Sequence, residues 1–122
     1  MTGVPCRYNG HSFNFPDLLT LVENGKAVRV CPETAGGLSV PRECIEIGEK
    51  KRAIESTGID RSEEIEKGIN QILNTYPAAA ISAAILKDKS PSCGSCFIYD
   101  GSFTGKTIPG KGLFAEVLYN LG

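Results

Sequence analysis

The chain has 122 residues, of which 41% are hydrophobic and 22% charged, and its formal net charge is −1 at pH 7. This composition predicts one folded domain over residues 1–122 and excludes a disordered chain. The near-neutral charge argues against nucleic acid or an anionic membrane as a partner. No apolar run reaches the ~20 residues that span a bilayer. We recognise no signal peptide, so we expect a cytoplasmic protein.

The first half of the chain predicts a helix, a strand, a loop and a second strand. Apolar residues at helical spacing over residues 15–24 predict a short helix that stops at Gly25. Alternating apolar and charged residues predict a strand over 26–33, which ends at a proline because proline cannot continue a ladder. Glycine and proline mark 34–43 as a loop. Residues 44–47 predict a short strand before a polar excursion.

The second half predicts helices at both ends. A stripe of isoleucine and leucine at helical spacing predicts a helix over 60–76. The second half of the apolar run 78–87 is interpreted as a buried parallel strand. Residues 96–105 predict a strand and an Asp-Gly turn, and 110–122 an amphipathic helix. This order is typical of an α/β fold with a small parallel-type sheet and helices on its faces, in three layers.

The cysteines are numerous for a chain of this length. Their odd number excludes a complete intramolecular disulfide framework. In a reducing compartment clustered thiols more often bind metal or react, although free cysteines are also common as small buried apolar residues. The five are Cys6, Cys31, Cys44, Cys93 and Cys96.

Two of these cysteines form a Cys-Gly-Ser-Cys element at residues 93–96. Such a pair can serve as a dithiol redox centre when it opens a helix, because the helix N-terminus stabilises the thiolate. Here the following residues are typical of a strand and a turn, which disfavours that reading. A structural zinc site needs two more ligands, and there is no second pair of this kind.

The predicted topology brings distant residues to one edge of the sheet. Cys31 and the loop to Cys93 follow two predicted neighbouring parallel strands, at the edge where open α/β sheets place their sites. Glu33, two residues after Cys31, is either a general acid or base in a pocket or a surface glutamate. Four cations at strand ends or loops form a cationic pocket or ordinary solvated charge. They are Arg7, Arg42, Lys87 and Lys89.

Four stretches of the sequence resemble one bacterial family. They are "CRYNG" at 6–10, "VCPETAGGLSVPR" at 30–42, "AILKDKSPSCGSCFIYDGSFTG" at 84–105 and "GKGLFAEVL" at 110–118. The resemblance covers nearly the whole chain, and its Cys-Pro-Glu and Ser-Pro-Ser-Cys-Gly elements are specific. The family, long catalogued as a domain of unknown function, is typified by the [4Fe-4S]-dependent 2-thiouracil desulfurase.

The resemblance implies an α/β fold with a [4Fe-4S] cluster held by three cysteines. The fourth iron is open and takes the sulfur of a small thiolated substrate without net redox chemistry, and thiolates suit such a cluster. Carried over by motif, Cys31 and Cys93 are cluster ligands, and Glu33 is the candidate acid or base. Ser90 and Ser92 are candidates for substrate binding or proton relay.

The resemblance also leaves choices open. The family's first cysteine ligand would fall immediately before Met1, so Cys6 is taken as the third ligand, with Cys96 as the other candidate. The family's first and last strands are expected to be missing. Candidate substrate contacts are Arg7, Lys87 and Asp100. The alternative functions are a non-catalytic metal- or anion-binding module and a dithiol redox protein that uses Cys93 and Cys96.

Overall fold

The computed structural model describes residues 15–122, and within them the chain forms helices and short strands that confirm the predicted α/β class. The helices are α1 (Pro16–Glu23), α2 (Pro32–Ala35), α3 (Ser62–Thr75) and α4 (Leu113–Leu121). The strands are β1 (Ile45–Ile47), β2 (Ala53–Glu55), β3 (Phe97–Tyr99) and β4 (Thr107–Pro109). Across residues 15–122, none of the helices has the length and apolar character that crossing a membrane requires.

Both ladders of residues 15–122 are antiparallel and two-stranded. β1 pairs with β2, with Ile45 opposite Glu55, and β3 pairs with β4, with Phe97 opposite Pro109. The predicted parallel sheet is therefore not among the ladders of this part of the chain. Each pair is joined by a short connection, which returns the chain as a hairpin, whereas a parallel pair needs a longer crossover.

Two of the predicted strands take another form. The stretch predicted as a strand over 26–33 is not in a ladder with any other described residue, and its end forms α2. Proline suits the first position of a helix, where its missing N–H costs nothing. The predicted buried strand within 78–87 follows a 3₁₀ turn and is also unpaired among residues 15–122, and its Ile85 is 61% exposed. Apolar composition alone did not determine burial there.

The core lies between α3, the β1–β2 hairpin, β3 and α4. The stripe predicted for α3 is confirmed, because its isoleucines all face this core. At the start of the helix, Asp60 accepts a hydrogen bond from the Ser62 amide at 2.8 Å, which satisfies one of the free amides of the first turn. The buried apolar residues are Ile45, Ile47, Ala53, Ile65, Ile69, Ile72, Ile98, Phe114 and Ala115.

The short helix α2 packs directly against α3 with no side chain between the two backbones. A Cβ atom added at Gly68 would lie 1.8 Å from the Pro32 carbonyl oxygen, so only glycine permits this approach. Pro32 and Glu33 are buried in this contact region. This packing holds the Cys-Pro-Glu element against α3.

Candidate active site

A buried carboxylate joins two distant parts of the sequence. Glu33, on α2, is 7% exposed, and its Oε1 accepts a hydrogen bond from Ser92 Oγ at 2.8 Å, across 59 residues of sequence. Its other oxygen, Oε2, accepts hydrogen bonds from Nε of Arg42 at 3.0 Å and from Nη2 of the same residue. The carboxylate therefore has an ion-pair partner on one oxygen and a hydroxyl partner on the other.

The Ser-Pro-Ser turn gives its hydroxyl groups a direction. Ser90 Oγ accepts the amides of Ser92 at 3.2 Å and Cys93 at 3.0 Å, and it lies 3.1 Å from Ser92 Oγ. Because Ser90 already accepts two amides, its proton is available to Ser92, while Ser92 donates to Glu33. We call this row, Ser90–Ser92–Glu33, the hydroxyl–carboxylate chain. All three residues are buried.

The first turn of α4 holds this loop in place. The amide of Gly112 donates to the Gly94 carbonyl at 2.8 Å, that of Leu113 to Pro91 at 2.9 Å, and that of Phe114 to Ser92 at 2.8 Å. Amides at the start of a helix have no partner within the helix, and here the loop carbonyls accept from them. A Cβ atom at Gly112 would lie 2.6 Å from the Ser92 carbonyl, so the helix can approach only through a glycine.

Asp88 fixes the other side of the loop. Its Oδ1 accepts the amides of Ser95 at 3.2 Å and of Cys96 and Phe97, each at 3.1 Å. These backbone hydrogen bonds, that of Phe97 first among them, lower the pKa of Asp88. Cys93 therefore lies on a loop that is held by hydrogen bonds from α4 on one side and to Asp88 on the other.

Two free thiols lie beside the hydroxyl–carboxylate chain. The pKa of Cys93 is raised to about 11, first by burial and then by the proximity of Cys31 and Glu33, while hydrogen bonding by Ser92 acts in the opposite direction. Ser92 Oγ lies 3.7 Å from Cys93 Sγ. Cys31 precedes α2 and is partly buried. The structure thus brings together Cys31, Glu33, Ser90, Ser92 and Cys93, although they come from two separate stretches of sequence.

A cleft opens on Cys31 between the preceding segment, α2 and the end of α3. Its volume is about 330 Å³, within the range of small-molecule sites. The lining residues are Arg29, Val30, Cys31, Thr34, Ala35, Gln71, Ile72, Thr75 and Tyr76.

The remaining candidate residues lie apart from this cluster or outside the described residues. Lys87 Nζ donates to the Asp88 carbonyl at 3.4 Å, just before the loop. Asp100 accepts from Ser102 in its own turn, and within residues 15–122 no hydrogen bond connects it to the hydroxyl–carboxylate chain. Cys96 is exposed. Cys6 and Arg7 lie outside the described residues.

Sequence reasoning missed two parts of the site. In the sequence, Arg42 is one of four cations at strand ends or loops. It lies nine residues from Glu33 across a loop, and no periodic pattern indicates that the two side chains pair. The amides of α4 were missed as well, because hydrogen bonds from the backbone leave no mark on residue identity. The one available signal was the Gly-Lys-Gly stretch before the helix, which indicates a close backbone approach.

Fold and site define an α/β domain in which paired thiols lie against a buried carboxylate and its serine partners. The chain belongs to the 2-thiouracil desulfurase family, whose model matches residues 1–122. It is similar to the uncharacterized protein YbbK of Bacillus subtilis (strain 168), at 41% identity over 98% of this chain and 85% of the relative. The resemblance found in the sequence motifs is therefore confirmed.

A solved structure shares the fold. It is that of the [4Fe-4S]-dependent thiouracil desulfidase TudS, which matches with a TM-score of 0.90 at 36% identity. The match covers 99% of this chain and 81% of the TudS chain.

Proposed function

We propose that this protein is an iron–sulfur-dependent desulfurase of small thiolated pyrimidines such as 2-thiouracil. The observation that carries the proposal is the placement of Cys31 and Cys93 beside the Glu33–Ser92 hydrogen bond. Membership of the 2-thiouracil desulfurase family and similarity to a [4Fe-4S]-dependent thiouracil desulfidase support it.

The donor set suits an iron–sulfur cluster. Cys31 and Cys93 supply soft sulfur donors in a sheltered place. Within residues 15–122 no three Cys, His, Asp or Glu side chains are grouped to hold a metal ion. We propose Cys31 and Cys93 as two of the cluster ligands, and Cys6, outside the described residues, as the third. Without a metal, burial keeps the Cys93 thiol protonated. A bound cation converts such a thiol to a thiolate.

The net reaction replaces the sulfur of the thiocarbonyl with the oxygen of water. One C=S bond is broken and one C=O bond is formed, hydrogen sulfide leaves, and no electron is transferred to or from the pyrimidine. When bound, the cluster supplies a soft Lewis acid that accepts the sulfur. Water must lose protons in this exchange and the departing sulfur must gain them, so the site needs a group that accepts and returns protons.

The hydroxyl–carboxylate chain provides such a group. Glu33 Oε1 already accepts a hydrogen bond from Ser92 Oγ at 2.8 Å, and Ser90 Oγ lies 3.1 Å from Ser92 Oγ. We assign Glu33 as the acid and base and Ser92 as the hydroxyl that passes protons between it and the substrate. Ser90 orients Ser92 through the contact between their hydroxyl groups.

The substrate is proposed to enter through the cleft at Cys31. Its volume of about 330 Å³ admits a single six-membered ring, and its lining contains both apolar residues, such as Ile72, and polar ones, such as Gln71. Lys87, Arg7 and Asp100 remain predicted substrate contacts.

A dithiol redox function is disfavoured by the chemistry of Cys93. A thiol that attacks a disulfide reacts as its thiolate and works best with a pKa near the ambient pH. The pKa of Cys93, about 11, is too high for this. The non-catalytic alternative predicts bound iron without sulfide release, and the same assay tests it.

The test is anaerobic reconstitution followed by a sulfide-release assay with 2-thiouracil. We expect bound iron, broad absorption near 400 nm, and equal amounts of sulfide and uracil. Ser92→Ala is expected to lower kcat about 10²-fold or more, which is the usual contribution of a proton-transferring group. Cys31→Ser and Cys93→Ser are expected to lose both iron and activity.

Matched controls separate these effects from general damage. Ser95→Ala alters an exposed serine of the same loop, and Cys44→Ser alters a partly buried thiol at the start of β1. Both are expected to keep iron and activity. Iron binding without sulfide release in the unmodified protein would leave the binding module as the function.

A further inference from the structure

Arg42 lies in the loop between α2 and β1 and covers one oxygen of Glu33. Its Nε donates to Glu33 Oε2 at 3.0 Å, and its Nη2 donates to the same oxygen. Its Nη1 donates to the Ser39 carbonyl at 3.0 Å, which fixes the plane of the guanidinium. The two side chains are only 7% and 9% exposed. One carboxylate oxygen is therefore held by Arg42, while the other receives the Ser92 hydroxyl.

We propose that Arg42 is a positioning residue, which directs Oε1 of Glu33 at Ser92 and thereby sets the geometry of proton transfer. The inference rests on the proposed function, because that function gives Glu33 its task. A carboxylate can rotate about its terminal bond, and two donors on Oε2 from one rigid plane stop this rotation. In this assignment Arg42 acts on the reaction through Glu33.

The shape of the guanidinium, and not its charge alone, is what the role requires. A lysine at this position keeps the positive charge but has a single ammonium group, without the planar fork of donors. Glu33 would remain paired yet could turn away from Ser92. Misplacing a reacting group by about 1 Å costs on the order of 10²-fold in rate. The substitution Arg42→Lys therefore separates positioning from charge compensation.

The test compares Arg42→Lys with a matched change elsewhere. For the reconstituted protein with 2-thiouracil, we expect Arg42→Lys to lower kcat by about 10- to 100-fold with KM within about twofold. Iron content and thermal midpoint should stay near those of the unmodified protein. The control is Arg61→Lys, because Arg61 Nε also pairs with a buried carboxylate, Glu55 Oε2, at 2.7 Å. We expect the control to keep its kcat.

A double-mutant cycle identifies the path of the effect. If Arg42 acts through Glu33, adding Arg42→Lys to Glu33→Gln lowers kcat no further than Glu33→Gln alone. An additional loss of the full size of the single change would mean that Arg42 acts independently, and would overturn the proposal. Unchanged kcat in Arg42→Lys would overturn it as well. If Arg42→Lys does not fold, Arg42→Gln tests the loss of the planar donors together with the charge, and we again expect a lower kcat that falls no further in the presence of Glu33→Gln.

A structural measurement distinguishes failure of this inference from failure of the proposed function. A crystal structure of the Arg42→Lys protein should show Glu33 rotated and the contact from Ser92 Oγ to Oε1 lengthened from 2.8 Å. An unchanged contact overturns the positioning role whether or not any variant releases sulfide. Absence of sulfide release from the unmodified protein refutes the proposed function, and the crystal structures then decide the role of Arg42.

Discussion

Helices α1 and α3 have similar apolar patterns and very different environments. In α3 five residues are buried, and Ile65 is fully inaccessible, whereas α1 buries none and its Leu21 is 37% exposed. The segment after α1 is similar, with Val28 and Val30 at 56% and 40% exposure. An amphipathic pattern thus predicts a helix, but burial depends on which elements surround it. The site lies at the meeting of the two environments, because Glu33 and Ser92 are buried while Cys31 directly follows the exposed segment.

The largest expected effect tests this contrast directly. Ile65→Ala removes a fully buried side chain and is expected to lower the free energy of unfolding by about 2–5 kcal/mol. Leu21→Ala makes the same kind of change on α1, and we expect about 0.5 kcal/mol or less. Urea unfolding of both variants provides the measurement. Equal losses would show that α1 contributes to the core as much as α3.

A change at the α2–α3 contact tests whether the packing of the helices affects the site. Gly68→Ala would place a Cβ atom 1.8 Å from the Pro32 carbonyl oxygen, so α2 must move. We expect a loss of about 1–3 kcal/mol, together with weaker iron retention, because Cys31 moves with the helix. The control is Lys67→Ala, which changes the exposed residue directly before Gly68. Retained stability and iron in Gly68→Ala would contradict the rigid docking of the two helices.

The smallest expected effect concerns the start of α3 and depends on pH. Hydrogen bonds from the Ser62 side chain, from Arg52 and from the Ser62 amide lower the pKa of Asp60 from 3.8 to about 2. Asp60 therefore binds its proton less readily in the folded state. The stabilisation is complete above pH 4 or so and is lost as the pH falls towards 2.

The substitution Asp60→Asn reveals this contribution. The difference in unfolding free energy between the unmodified protein and the variant should be larger at pH 6 than at pH 2.5, as measured by urea unfolding at each pH. A difference that stays constant over this range would show that the Asp60 carboxylate does not stabilise α3 through its charge.

The features that the sequence could predict are those with local patterns. The α3 stripe, the α1 helix and the Asp-Gly turn after β3 follow from spacing and turn chemistry. β2 follows a run of charged residues and β4 ends in a proline between two glycine-containing stretches, so neither has the pattern of a strand. The apolar composition of residues 78–87 predicts a buried strand in their second half, whereas Ile85 is 61% exposed.

For a similar reason, the sequence predicts some residues of the site and not others. Cys31, Glu33, Ser92 and Cys93 were chosen because their motifs resemble a known family, and the structure brings them together. The ion pair with Arg42 depends on the path of a loop, and no pattern in the sequence encodes that path. Contacts made by backbone groups were equally invisible.

The hydrogen bonds from α4 to the thiol loop also set an order of assembly during synthesis. The carbonyls of Pro91 and Ser92 accept from amides at positions 113 and 114, about twenty residues further along the chain. At roughly 5–20 residues per second, the ribosome makes those donors about one to four seconds after the loop. During this interval the loop carbonyls lack their partners in α4, while Asp88 can already bind the loop amides at 95–97.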